Sequence, residues 1–119
     1  MDILVTNNPL VKEQCCDKIK IEFFEAPLIG ILTRVRGYVH SGYRLLTHPL
    51  SGNVKPNETP YKSVLITEAL GEVDEQSVRI IEECMSAAHK FPPGHIHESY
   101  LSDLQTVDLS LITPTLEQY

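Results

Sequence analysis

Residues 45–63 read Leu-Leu-Thr-His-Pro-Leu-Ser-Gly-Asn-Val-Lys-Pro-Asn-Glu-Thr-Pro-Tyr-Lys-Ser, an apolar strand end that runs into a long polar connection. Three prolines, a glycine and two asparagines cannot continue a strand or a helix, so the chain leaves its scaffold here and returns at Val64. Connections of this length are uncommon in compact domains unless they bind something or are disordered, and the prolines favour a stiff loop.

Working outward, the flanking segments supply the scaffold. Asp2-Ile3-Leu4-Val5-Thr6 is a β-branched run that stops at Asn7-Asn8-Pro9, after which Leu10 to Cys16 is helix-compatible. Asn8 is placed to cap that helix and Pro9 to occupy its first position. Lys18 to Phe24 alternates apolar and charged residues, the period of a half-buried strand near a sheet edge. Pro27 opens a helix whose apolar stripe is Leu28, Ile31, Leu32, Val35 and Val39, closed by Ser41-Gly42. Tyr43 to Thr47 is a third strand, which delivers His48 and the loop.

On the far side, Val64-Leu65-Ile66-Thr67 has the continuous apolar character of a central strand covered on both faces. Asp74 caps the next helix, with Val78, Ile81, Cys84, Met85 and Ala88 on its buried stripe, and Pro92-Pro93-Gly94 ends it. Leu104 to Asp108 reads as a last short strand, with a closing helix from Asp108 or Ser110, although Leu101, Leu104, Val107 and Leu111 also fit one continuous helix. The alternation predicts a single α/β domain over residues 1–119, a three-layer αβα sandwich, Rossmann-like, with a mainly parallel sheet of about five strands. Right-handed crossovers then put the Thr6–Asn8 turn, the His48–Ser63 loop and the Thr67–Glu72 turn on one edge of the sheet.

Charge points to the same loop. From Arg34 to Lys62 there are five basic residues, Arg34, Arg36, Arg44, Lys55 and Lys62, against the single acid Glu58, in a chain of net charge −6. A basic island in an acidic chain attracts a small anion or an acidic protein partner, while the molecule as a whole repels nucleic acid and anionic membranes. The candidate ligand-binding residues are therefore Thr6, Asn7, Asn8, Thr47, His48, Ser51, Gly52, Lys55, Asn57, Thr59, Tyr61 and Lys62, with Lys55 and Lys62 read as exposed. His48 is the candidate general acid or base should the protein be an enzyme, with the lysines stabilising negative charge. A third reading makes the loop a rigid interface, as in a homodimer, through Leu50, Val54 and Tyr61.

Other chemistry is thin. Three cysteines, two of them adjacent at Cys15-Cys16, give no disulfide framework, and Cys84 falls on a core stripe. His95 and His97 have no further ligand at zinc spacing, so no metal and no cofactor is expected. No segment has the length and apolarity of a membrane span, and no secretory signal precedes the first strand, so the expected location is cytoplasmic.

The turn Thr6-Asn7-Asn8-Pro9-Leu10-Val11 and the block Gly42 to Ser63, with its Leu-Thr-His-Pro-Leu-Ser-Gly core and Lys-Pro-Asn-Glu-Thr-Pro-Tyr-Lys-Ser end, resemble GrdX-like proteins over nearly the full chain. The resemblance implies no assigned activity. It implies company: such proteins are encoded beside components of glycine, sarcosine or betaine reductase in anaerobic amino-acid-fermenting bacteria, as accessory factors. No selenocysteine-type or Cys-x-x-Cys redox centre is present, which sets the chain apart from a catalytic subunit of that system.

Overall fold

The computed structural model describes residues 1–50, 59–68, 71–91 and 94–119. In chain order these form β1 (Asp2–Thr6), α1 (Pro9–Cys15), β2 (Lys20–Phe23), α2 (Leu28–His40), β3 (Tyr43–Leu45), β4 (Ser63–Glu68), α3 (Glu75–Lys90), a single 3-10 turn (Glu98–Tyr100) and α4 (Leu101–Leu116).

The local signals do what their chemistry demands. Asn8 Oδ1 accepts the Leu10 N–H at 3.0 Å and Pro9 begins α1. Gly42, at a φ of 109° that a side chain would resist, lets the chain turn out of α2 into β3. Asp74 Oδ2 accepts the Ser77 N–H at 3.0 Å at the start of α3, and the Ser77 hydroxyl accepts the Leu45 N–H at 3.0 Å, fixing that helix end to β3.

The sheet corrects the expected one. It has four strands in the order β2-β1-β4-β3, with β1 and β2 parallel and β4 antiparallel to both of its neighbours. It is mixed, not a mainly parallel Rossmann-like sheet of five strands. Two physical reasons account for the difference. The connection between β3 and β4 leaves and re-enters the sheet at the same edge, so β4 must run backwards, and its apolar run Val64-Leu65-Ile66 records only that both of its faces are covered. The residues read as a last strand, Leu104 to Asp108, lie inside the continuous helix α4. Because β4 is reversed, it ends beside Met1, where the Glu68 N–H bonds the Met1 carbonyl. The Thr67–Glu72 segment therefore starts from the edge opposite Asn7 and Asn8 and does not share theirs.

Helices cover both faces of this mixed sheet. Ile3, Val5, Val64 and Ile66 point to one face, against Ile31, Leu32, Val35 and Val39 of α2 and Ile81, Cys84 and Ala88 of α3. Leu4 and Leu65 point to the other, against Val11 and Cys15 of α1 and Ile112 and Leu116 of α4. Among the described residues no helix is long and apolar enough to cross a membrane.

Candidate functional site

Seven polar or charged side chains among the described residues are buried, and six of them, Thr6, Asn7, Asn8, Lys62, Ser63 and Asp108, meet where β1 ends and β4 begins. The seventh, Ser77, serves the α3 cap. Burial of polar groups is costly unless each is bonded, so this concentration marks the edge as the place where the fold keeps chemistry inside.

Asn7 is the clasp. Its Nδ2 donates to the carbonyls of Ala26 at 2.8 Å and Pro60 at 2.7 Å, and its Oδ1 accepts the Lys62 N–H at 2.9 Å. One carboxamide thus joins the β1–α1 turn, the approach to α2 and the end of the long connection. Asn8 works on the other side. Besides capping α1, it donates from Nδ2 to the Gln105 carbonyl at 2.9 Å and to Asp108 Oδ2 at 3.0 Å. The Ser63 hydroxyl donates to the same Asp108 oxygen at 2.8 Å and lies 2.7 Å from the Thr6 hydroxyl, which in turn accepts the Asn8 N–H at 3.0 Å.

Two buried charged residues belong to this network. Lys62 is 5% exposed, and burial pulls its ammonium below the usual lysine range, opposed by attraction to Asp108 and then to Cys84. Lys62, Asp108, Ser63 and Thr47 line a cavity of about 50 Å³ together with Leu111, Ile112 and Thr115 of α4. On the other side of the 59–62 segment lies a larger, apolar cavity of about 280 Å³, walled by Leu28, Ile29, Pro60, Phe91, Ile96 and Leu101 among others.

The residues expected at the site divide into three groups. Thr6, Asn7, Asn8 and Lys62 come together as described, and Thr47 joins them while its hydroxyl accepts the Leu65 N–H at 3.0 Å. Thr59 and Tyr61 stand next to them in local roles: Thr59 Oγ1 accepts the Tyr61 N–H at 3.2 Å, and the Tyr61 hydroxyl accepts from Gln105 Nε2 at 2.9 Å. His48 is exposed, and its Nδ1 accepts the Leu50 N–H at 3.1 Å, a bond internal to its own turn. Ser51, Gly52, Val54, Lys55 and Asn57 lie outside the described residues.

Two expectations need correction. Lys62 is a buried residue and not an exposed loop lysine, because it directly precedes a central strand rather than riding on the loop. The basic island also disperses: Arg36 Nε bonds Glu82 Oε1 at 2.6 Å, Arg34 lies over the Phe24 ring at 4.2 Å, and Arg44 opens onto a depression shared with Glu68, Glu72, Asp74 and Glu75. Charges close in sequence point in different directions once the helix and strand are formed.

The residue that sequence reading missed is Asp108. Leu104, Asp108, Ile112 and Leu116 recur every four residues on α4, so the acid occupies a position in an inward-facing stripe. A carboxylate interrupting such a stripe was the available signal. Elsewhere, His97 Nδ1 accepts the Ser99 N–H at 3.1 Å at the start of the 3-10 turn. Among the described residues no group of three or more His, Cys, Asp or Glu side chains could hold a metal ion.

The arrangement combines a cation, a carboxylate, hydroxyls and amides around a small cavity. Cys84 has its thiol pushed up to about 11 by burial, which keeps it protonated and unreactive at neutral pH. Among known proteins, the family model described as GrdX-like protein matches residues 3–117. No curated protein and no solved structure matches the chain.

Proposed function

We propose, from the premise that this chain belongs to the GrdX-like protein family, that it is an accessory binding protein of glycine, sarcosine or betaine reductase metabolism and not an enzyme. In this reading it holds a small anion, or an acidic patch of a partner, at the edge where the Asn7-Asn8 turn meets the two ends of the 47–63 connection. The observation that carries it is Lys62, a buried lysine that lines a small cavity together with the hydroxyl-bearing Thr47 and Ser63. A cation held out of water interacts more strongly with a bound anion than an exposed one does, and the Asn7 clasp fixes its backbone in position before any ligand arrives.

The alternatives draw less support. An enzyme working through His48 would need that ring at the cluster, and its Nδ1 is turned to the Leu50 amide. An interface built on the apolar loop residues would need them outward, whereas Leu50 packs against the core and Tyr61 is half-buried against Gln105.

The test is an NMR titration of the labelled protein with inorganic phosphate, and separately with the purified reductase components. Saturable shifts at Thr6–Asn8, Thr47 and Lys62–Ser63, lost in Lys62→Met, support the reading. Titrations that leave those resonances in place with every addition defeat it.

A further inference from the structure

We propose that the outer edge of β2 is a self-association edge, on which β2 of a second copy pairs antiparallel about a two-fold axis at Ile21 and joins the two four-stranded sheets into one. The contact uses none of the residues around Asn7 and Asp108, so its outcome leaves the binding reading where it stands.

The edge is open. β2 is an outermost strand of the sheet and pairs on one side only, with β1. The Phe24 N–H bonds the Thr6 carbonyl at 3.0 Å, which sets the backbone direction along the strand: the N–H and C=O groups of Lys20 and Glu22 turn towards β1, and those of Ile21 and Phe23 turn outwards. Among the described residues no hydrogen bond reaches these outward groups. A row of unpaired edge groups is a template for another strand.

The sequence chooses the occupant. Ile19-Lys20-Ile21-Glu22-Phe23 complements itself when reversed. Across a two-fold at Ile21, Lys20 stands opposite Glu22 of the second copy, and does so twice, at the non-hydrogen-bonded positions where side chains approach most closely. Ile21 meets Ile21, and Ile19 meets Phe23, at the hydrogen-bonded positions. Those positions belong to the residues whose backbone groups turn outwards, so this pairing draws on the groups that are free. An axis at Lys20 would set Lys20 against Lys20, and an axis at Glu22 would set Glu22 against Glu22. Charge therefore selects the register at Ile21 over both of its neighbours.

The side chains are placed for it. Lys20 and Glu22 sit opposite Ile3 and Val5 and share the face that packs on α2 and α3, while Ile21 sits opposite Leu4 on the other face. The Tyr38 hydroxyl donates to Glu22 Oε2, which positions the carboxylate and leaves Oε1 as an acceptor for an ammonium. Lys20 is exposed and makes no ion pair among the described residues.

The edge is short, so the dimer is weak, with a dissociation constant on the order of 10–100 µM. Sedimentation velocity of the full chain from about 5 µM to about 500 µM is expected to show a reversible monomer–dimer equilibrium. Over the same range, amide hydrogen exchange at Ile21 and Phe23 should slow as concentration rises. Lys20→Glu and Glu22→Lys each set like charges opposite one another at both positions, and each should weaken the dimer about ten-fold or more. Mixed in equal amounts, the two variants should recover it, because the acidic edge of one then faces the basic edge of the other. Glu22→Lys also loses the Tyr38 bond, so its melting temperature is read alongside; the exchange measurement needs no variant. A wild type that stays monomeric throughout overturns the proposal, as does a dimer whose Ile21 and Phe23 amides exchange as they do in the monomer. So does a dimer that Lys20→Glu leaves undiminished, or a pair of folded variants that gains nothing on mixing.

Discussion

The Ser63 hydroxyl, on the first residue of β4, donates to Asp108 Oδ2 at 2.8 Å from the middle of α4. That bond crosses from the sheet to the last helix, and Asn8 donates to the same oxygen from the β1–α1 turn at 3.0 Å. The C-terminal helix is therefore held by a polar peg as well as by Ile112 and Leu116.

Removing the peg should cost far more than replacing an acid on a solvated helix face. Asp108→Ala removes the acceptor shared by the Asn8 and Ser63 side chains and takes away a negative charge that attracts the buried Lys62, an expected loss of about 2–4 kcal/mol by urea denaturation. Asp108→Asn keeps one acceptor oxygen and should lose about half as much. A change below about 0.5 kcal/mol in the alanine variant would show that α4 is held by apolar contacts alone.

Asn7 should tolerate no substitution. Alanine there abandons the carbonyls of Ala26 and Pro60 and the amide of Lys62, for a loss of about 2–4 kcal/mol. Asn7→Asp is expected to be worse than Asn7→Ala, since a carboxylate would face two carbonyl oxygens that need a donor. Equal melting temperatures for the two variants would contradict the assigned orientation of the carboxamide.

How much of this was readable follows from how far each signal reaches along the chain. Asn8-Pro9, Gly42 and Asp74 work through neighbours one to four residues away, so three helices and their stripes were legible in the residues themselves. Strand direction was not, because Val64-Leu65-Ile66 would look the same in either sense when both faces are covered. The continuous helix α4 was legible only as the alternative to a strand, because Asp108 breaks the inward stripe while Val107 and Leu111, two of the residues that suggested the helix, are exposed. The Asn7 turn and the long connection were expected at one edge because both were read as following strands of a parallel set; they meet instead because the antiparallel β4 begins where β1 ends. The burial of Lys62 was hidden in a residue type that normally seeks water.

Cys84 gives a pH signature. Its thiol, raised by burial from 9.0 to about 11, stays protonated in the folded protein where the unfolded chain has already lost the proton. The stability it contributes is present below about pH 9 and is lost as pH rises through 11. Tyr38, raised to about 12 mainly by burial and then by its bond to Glu22, acts in the same direction at higher pH, so the comparison must isolate the thiol. Cys84→Ala should lose less stability than wild type between about pH 8.5 and about pH 10.5 in paired denaturation curves, with the two converging in slope below about pH 8. Parallel pH profiles throughout would mean the thiol ionises as it does in water.

Lys62 separates burial from charge. The residue is buried, so Lys62→Ala removes packed methylenes and should cost about 1–3 kcal/mol, unlike an exposed loop lysine. Lys62→Met keeps the stem and removes an ammonium that burial already disfavours, and it should melt closer to wild type than the alanine variant does. The pH dependence has a definite sign. Because the folded pKa is depressed, the folded protein binds fewer protons than the unfolded chain just below the ordinary lysine value of 10.5, so this residue makes wild type gain stability as pH rises towards that value. Lys62→Met has no such gain, and because Lys62 and Cys84 interact, the comparison is made in a Cys84→Ala background, with Tyr38 common to both proteins. Should the two proteins change in parallel as pH rises to 10.5, the Lys62 ammonium is solvated in the folded state.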